Sequence, residues 1–328
     1  MLERLIAHVD YITDPESSPD PIRFLLDTLG QPGSLLLLGI GMVVVLAAVL
    51  AWSRWRPMEE PRLRFIERAK TYGEFLPWMV RLSVGLVLIG AGLSRARFVP
   101  NIESGHLFAL MLTATGFLLL LGLAVRPAAL VALGAYVVTL VSYPELVMML
   151  DVAGALAVAA VLGPGRPSLD DLLRAAFPRG PGARAATENL ASGGYDDIVP
   201  LLIRIGLGGA FVASGIVDKL VIYDQALAVV DRYHLTSVVP VTPELWVVGA
   251  SLIETTLGVA ILLGVLTRFS AVVGFTVLTL ALFALPDDPV IAHVGLFGLS
   301  STLVILGGGR WSLDRSVLAP LGERLRAR

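Results

Sequence analysis

The chain has no cysteine, only two lysines (Lys70 and Lys219) and few charges of any kind. Without cysteine there is no disulfide, no thiolate zinc site, no iron–sulfur cluster and no thiol nucleophile. Charged residues fill 16% of the 328 positions, where a soluble domain carries about 25%. The four histidines (His8, His106, His234 and His293) are scattered, and only His293 falls inside an apolar run. No metal or haem is therefore expected, because neither a ligand cluster nor a histidine pair within a bundle can be drawn. A basic patch with interleaved aromatics is also missing, which removes nucleic acid as a partner. Glycine is plentiful, but none of it forms a nucleotide loop after a strand, because no strand is expected.

What the chain has is apolar side chains, at 55% of positions and a mean hydropathy of +0.78. A water-soluble core cannot hide that much Leu, Val and Ala, so the lipid bilayer is the expected partner. Nine stretches approach the ~20 apolar residues a spanning helix needs: 33–52, 77–94, 107–125, 127–143, 145–163, 199–217, 245–266, 269–285 and 290–307. Thr242-Pro243-Glu244 and Asp288-Pro289 read as helix starts, a cap residue before a first-turn proline. The expected fold is all-α and polytopic. Residues 1–32 are too polar for a cleaved leader and read instead either as a loosely ordered tail or as two interfacial helices, one with Leu2, Leu5, Ile6 and Val9 on a face, the other from Asp20-Pro21 to Gly30.

Basic residues set the orientation. With the N-terminus outside, 19 Arg/Lys fall on the inner side and six on the outer. The positive-inside rule then predicts a cell-membrane protein with its C-terminus in the cytoplasm.

The chain also repeats itself. RLSVGLVLIGAGLSRARF from Arg81 matches RIGLGGAFVASGIVDKLV from Arg204, with Gly85 on Gly208 and Gly92 on Gly215. Gly122 and Arg126 recur as Gly264 and Arg268, and GPGRPSLD from Gly163 recurs as GGGRWSLD from Gly307. Each copy holds four spans, an even number, so the copies run parallel. The expected organisation is an N-terminal tail, helix and basic loop (1–70), a first four-helix unit (71–179), a linker (180–198), and a second unit with a basic tail (199–328). The glycine pairs read as close helix contacts. Arg81 and Arg204 lie where they can snorkel to lipid phosphates, Arg126 and Arg268 cap span ends, and Ser168 and Ser312 read as N-caps of short inner helices.

These residues carry a resemblance. Arg204-Ile-Gly-Leu-Gly with Phe211, Gly215 and Lys219, then Glu254 with Gly258, Leu263-Gly264 and Arg268, then His293-Val-Gly and Gly309-Arg-Trp-Ser-Leu-Asp314 resemble a DoxX-type four-helix membrane protein over 199–314. The first unit resembles the same family less closely. The resemblance implies an antiparallel four-helix bundle, association with membrane redox systems, a quinone-linked oxidising complex in some relatives and an accessory subunit role in others. It implies fold more firmly than chemistry.

Ionisable groups at membrane depth are costly and mark candidate sites. Glu254 sits near mid-span, His293 opens the last span, and Asp218 with Lys219 ends the first span of the second unit. In an antiparallel bundle they can converge, with Glu254 and His293 as the proton-handling pair and Asp218, Lys219 and Arg204 as the cofactor-binding set for a quinone. The first copy carries Leu112, Met149 and Ala96 at the places of Glu254, His293 and Lys219. Asp151 is a further intramembrane acid, expected to pair with Arg95 or a backbone donor. The leading expectation is a redox-linked membrane subunit with a redox partner protein. The alternative is a non-catalytic scaffold or assembly subunit, and a small-solute transporter comes third.

Overall fold

The computed structural model describes residues 18–55, 59–177, 195–287 and 290–318. The helix expected around Leu2 to Val9, most of the linker, the Asp288-Pro289 start and the C-terminal tail lie outside those residues.

The chain opens on α1 (Pro21–Gly30), which Asp20 caps by accepting the Arg23 backbone N–H at 3.1 Å. It turns by 84° into α2 (Ser34–Trp55), and the basic α3 (Glu59–Lys70) follows. A first helical stretch comprises α4 (Leu76–Leu93), α5 (His106–Leu121), α6 (Val125–Ser142) and α7 (Leu150–Leu162), and the short α8 (Leu169–Ala176) follows it. A second comprises α9 (Tyr195–Ala213), α10 (Tyr223–Arg232), α11 (Pro243–Leu263), α12 (Thr267–Ala284) and α13 (Val290–Leu306). All nine expected spans are helical. The Thr242 cap is real, its hydroxyl accepting the Leu245 N–H at 3.3 Å.

Among the described residues, six helical stretches are long and apolar enough to cross a membrane, or seven if α1 and α2 form one broken span. The apolar α5 and α13 are shorter, at 16 and 17 residues, close to the lower limit of ~17. Leu107, Val141 and Phe283 are 84%, 81% and 82% exposed, side chains that lipid solvates and water does not. This is a multi-pass membrane protein.

One element was not expected. Between α4 and α5 the chain forms a small antiparallel hairpin, β1 (Ala96–Arg97) with β2 (Val99–Glu103), turning at Phe98 with φ of 69°.

The two stretches do not stand apart. Within them α4 packs on α5, and α9 on α11, but α4 also packs on α13, and α7 on α9. The first helix of each stretch therefore lies against the last of the other, and one continuous apolar core runs from Val80 to Leu303. Glycine makes this contact possible. A methyl added at Gly206 on α9 would stand 2.8 Å from the Gly154 Cα on α7, closer than two carbons can approach.

The arginines depart from the expectation. Arg81 and Arg204 are 1% and 3% exposed and do not reach a lipid surface. Arg81 donates to the Leu119 and Pro167 carbonyls at 2.9 and 2.6 Å, so its charge is placed at the C-terminal end of α5 and at the turn before α8. Arg268 behaves as expected, donating to Val304, Ile305 and Leu306 at the end of α13 at 2.9–3.2 Å. Ser168 caps α8, accepting the Asp171 N–H at 3.2 Å. Ser312 does not take the matching role. Its hydroxyl donates to Gly309, while Asp314 accepts the Leu266 and Thr267 N–H groups at 2.6 and 2.8 Å and caps α12.

Candidate functional site

α9 does not end as an α-helix. From Ser214 to Val221 it continues with π-helical winding. Hydrogen bonding from i to i+5 widens the turn, so residues four and five ahead both lie over residue i. Asp218 and Lys219 are four and five residues beyond Ser214. The widened turn thus sets a hydroxyl, a carboxyl and an ammonium on one face.

That face meets α11. Gly215 allows the approach, since a methyl there would stand 2.9 Å from the Thr255 backbone nitrogen and 3.0 Å from the Ser251 carbonyl oxygen. The neighbour of Thr255 is Glu254, halfway along α11. Its Oε2 lies 2.8 Å from Lys219 Nζ and 3.1 Å from Ser214 Oγ. Ser214 Oγ also lies 2.8 Å from Asp218 Oδ2, and Lys219 Nζ donates to Ser214 Oγ at 3.3 Å. A single hydroxyl proton is shared between two carboxyl groups, with an ammonium beside them. The Lys219 and Glu254 side chains are 18% and 19% exposed, so the cluster is half-buried and reachable.

Of the five sequence-predicted site residues, Glu254, Asp218 and Lys219 come together. Arg204 does not join them. It lies ten positions before Ser214, ~15 Å along a helix. Its guanidinium donates to Ile261 at 3.0 Å, to Gly308 and Trp311 at 3.1 Å, and to Leu262. Its role is to close helix ends, because its buried fork of donors finds backbone carbonyls there. His293 is buried in the first turn of α13, a helix that packs on α12, α4, α9 and α7. The partner of Glu254 is Lys219.

Sequence reasoning missed Ser214. A signal was present: Ser214-Gly215 precedes an Asp-Lys pair inside an apolar span, but winding that brings i+5 over i leaves no periodic signature. At the corresponding places of the first stretch the groups are apolar. Ala96, Leu112 and Met149 are 1%, 0% and 3% exposed.

The site is covered from the N-terminal side. Ser18 donates its N–H to the Val221 carbonyl at 3.1 Å, and its hydroxyl accepts the Asp224 N–H at 2.9 Å. Phe24 of α1 stacks on Tyr223 with centroids 4.0 Å apart, and Tyr223 donates to the Pro19 carbonyl at 2.8 Å. Residues 218–244, between α9 and α11, are largely helical and form the other half of this cover.

The ion pair makes a direct prediction. Lys219→Met and Glu254→Gln each strand a partner in a poorly solvated site, whereas the double variant strands neither. A double-mutant cycle on thermal unfolding in detergent is expected to show favourable coupling of about 1–3 kcal/mol. Additive losses would mean that the pair is not formed.

No curated protein and no solved structure matches this chain. Residues 199–287, which hold Ser214, Asp218, Lys219 and Glu254, match the family model described as DoxX, so this segment of the multi-pass membrane protein is similar to DoxX proteins.

Proposed function

We propose that this protein is the membrane subunit of a redox-linked system and holds a quinone head group at the Ser214–Asp218–Lys219–Glu254 cluster. The observation that carries the reading is the Lys219–Glu254 pair at 2.8 Å, with a hydroxyl and a second carboxyl in contact. The donor set fits the group. Quinone carbonyl oxygens are acceptors, and Lys219 and Ser214 are donors. When bound, a quinone supplies a two-electron, two-proton acceptor. Lys219 orients a carbonyl oxygen and stabilises negative charge on it. The Glu254 carboxylate, ion-paired to Lys219, takes up and passes on a proton beside that position, and Asp218 exchanges protons with it through Ser214. The electrons come from a redox partner protein. His293 stands outside this pair and belongs to any longer proton path.

The same reading orients the protein with its N-terminus outside, its C-terminus in the cytoplasm and the cluster toward the outer side. It also divides the chain into two parallel units, at 71–179 and 199–328, joined by the linker at 180–198. Recurring contacts support the division. Gly85 approaches the Gly116 carbonyl as Gly208 approaches that of Gly258, and Asp170 donates its N–H to Gly122 as Asp314 does to Gly264. Only the second unit keeps the polar cluster.

Solvent extraction of mildly purified protein, followed by mass spectrometry, tests the function. Near-stoichiometric quinone is expected, falling by tenfold or more in the Lys219→Met, Glu254→Gln double variant. Quinone no higher than in bulk membrane lipid would overturn the reading. A stoichiometric co-purifying protein in that case would favour the scaffold role.

A further inference from the structure

Asp151 is the second residue of α7 and is 1% exposed. It lies in the seam where the two stretches meet, against Gly295 of α13. Its Oδ2 is buried without a hydrogen-bond partner. The carboxyl fills the space left by a missing side chain. A methyl on Gly295 of α13 would stand 2.5 Å from Oδ2, and 3.8 Å from Val87 of α4. No described side chain donates to Oδ2. Arg95 does not pair with Oδ2.

Most polar groups on the surrounding helices are engaged elsewhere, while Arg81 Nε and Ser300 Oγ of α13 are, like Oδ2, buried without a partner and do not reach it. Tyr136 of α6 donates to the Leu146 carbonyl at 2.6 Å, and Ser83 of α4 to Val80 at 3.0 Å. Arg81 of α4 and Arg204 of α9 bind carbonyls at helix ends. His293 is the titratable group of α13, and it too does not reach Oδ2.

A lone carboxylate in such a place is far more costly than a neutral carboxyl, which leaves a single O–H unanswered and no net charge. We propose that Asp151 is a proton-binding site between the two four-helix stretches, and that its neutral carboxyl is the form that closes the seam. Releasing the proton requires water or a cation between α7 and α13, so proton release and separation of the stretches are linked. This inference is independent of the quinone reading.

Infrared difference spectroscopy on the full chain at neutral pH tests it. Subtracting Asp151→Asn from the wild type is expected to leave the carbonyl band of a protonated carboxylic acid, and thermal stability is expected to stay near the wild-type value. Should the Asn variant not fold, Asp151→Ser provides the subtraction, removing the carboxyl without filling the seam. Carboxylate bands in the difference, or no difference, would overturn the proposal.

Discussion

Arg204→Met is expected to lower stability by on the order of 3 kcal/mol or more, without acting through any bound ligand. The carbonyls of Leu262, Gly308 and Trp311 lose the Arg204 donor at once, and that of Ile261 keeps only the Gly264 N–H. A buried carbonyl left unsatisfied costs about 1–3 kcal/mol, less where water can enter from the nearby surface. The thermal midpoint in detergent should fall by roughly 5 °C or more. Arg204→Lys should recover little, because one ammonium cannot span carbonyls that a planar fork reaches on two sides. The decisive comparison is with quinone content. If Arg204 held the head group, its loss would empty the site and leave the midpoint unchanged. The geometry predicts the reverse for the fraction that remains folded.

Gly206→Leu should be as damaging for a different reason. A Cβ at Gly206 meets the Gly154 Cα at 2.8 Å and the Leu150 carbonyl oxygen at 3.0 Å, both backbone atoms that cannot rotate aside. α7 and α9 must separate, and the rest of the leucine then has to be housed in the seam. Overpacking of this kind costs about 1–3 kcal/mol and sometimes more, and the upper end is expected because a helix must move and not a side chain. Gly134→Ala is the control. Nothing lies within 4 Å of that position, so alanine should gain up to about 1 kcal/mol from helix propensity. Equal losses in both variants would mean that the α7–α9 seam is not the close contact described.

Much of the fold was legible because lipid imposes a simple rule. A span must be a run of apolar residues with its backbone bonded internally, so the nine runs from residue 33 to 307 could be read as helices one by one. The cap signals at Asp20 and Thr242 were legible for the same local reason, since a cap acts within three residues. Glu254, Asp218 and Lys219 stood out because an ionisable group within such a run needs an explanation. What escaped was whatever depends on a change of winding or on a distant neighbour. Asp218 and Lys219 are adjacent in sequence, and on an α-helix they would point about 100° apart. The π turn swings both over Ser214, and nothing in the order of residues announces it. Arg81 and Arg204 showed the opposite error. Their depth suggested a lipid phosphate, but carbonyls of α5 and α11, supplied from some forty to sixty residues away, were nearer.

The sequence by itself determined that this is a membrane protein, where its helices run, that no cysteine chemistry is available, and which acid–lysine set is costly enough to need a partner. Each of these follows from composition and from contacts within a few residues. Only the tertiary structure decided that Glu254 pairs with Lys219, that Arg204 serves helix ends, that the first helix of each stretch packs on the last of the other, and that Asp151 is left without a partner for Oδ2. Those outcomes depend on which helices touch. Where every helix is apolar on all sides, hydrophobicity does not choose the neighbour. Close fit does, through glycine gaps and the few polar groups that must be answered.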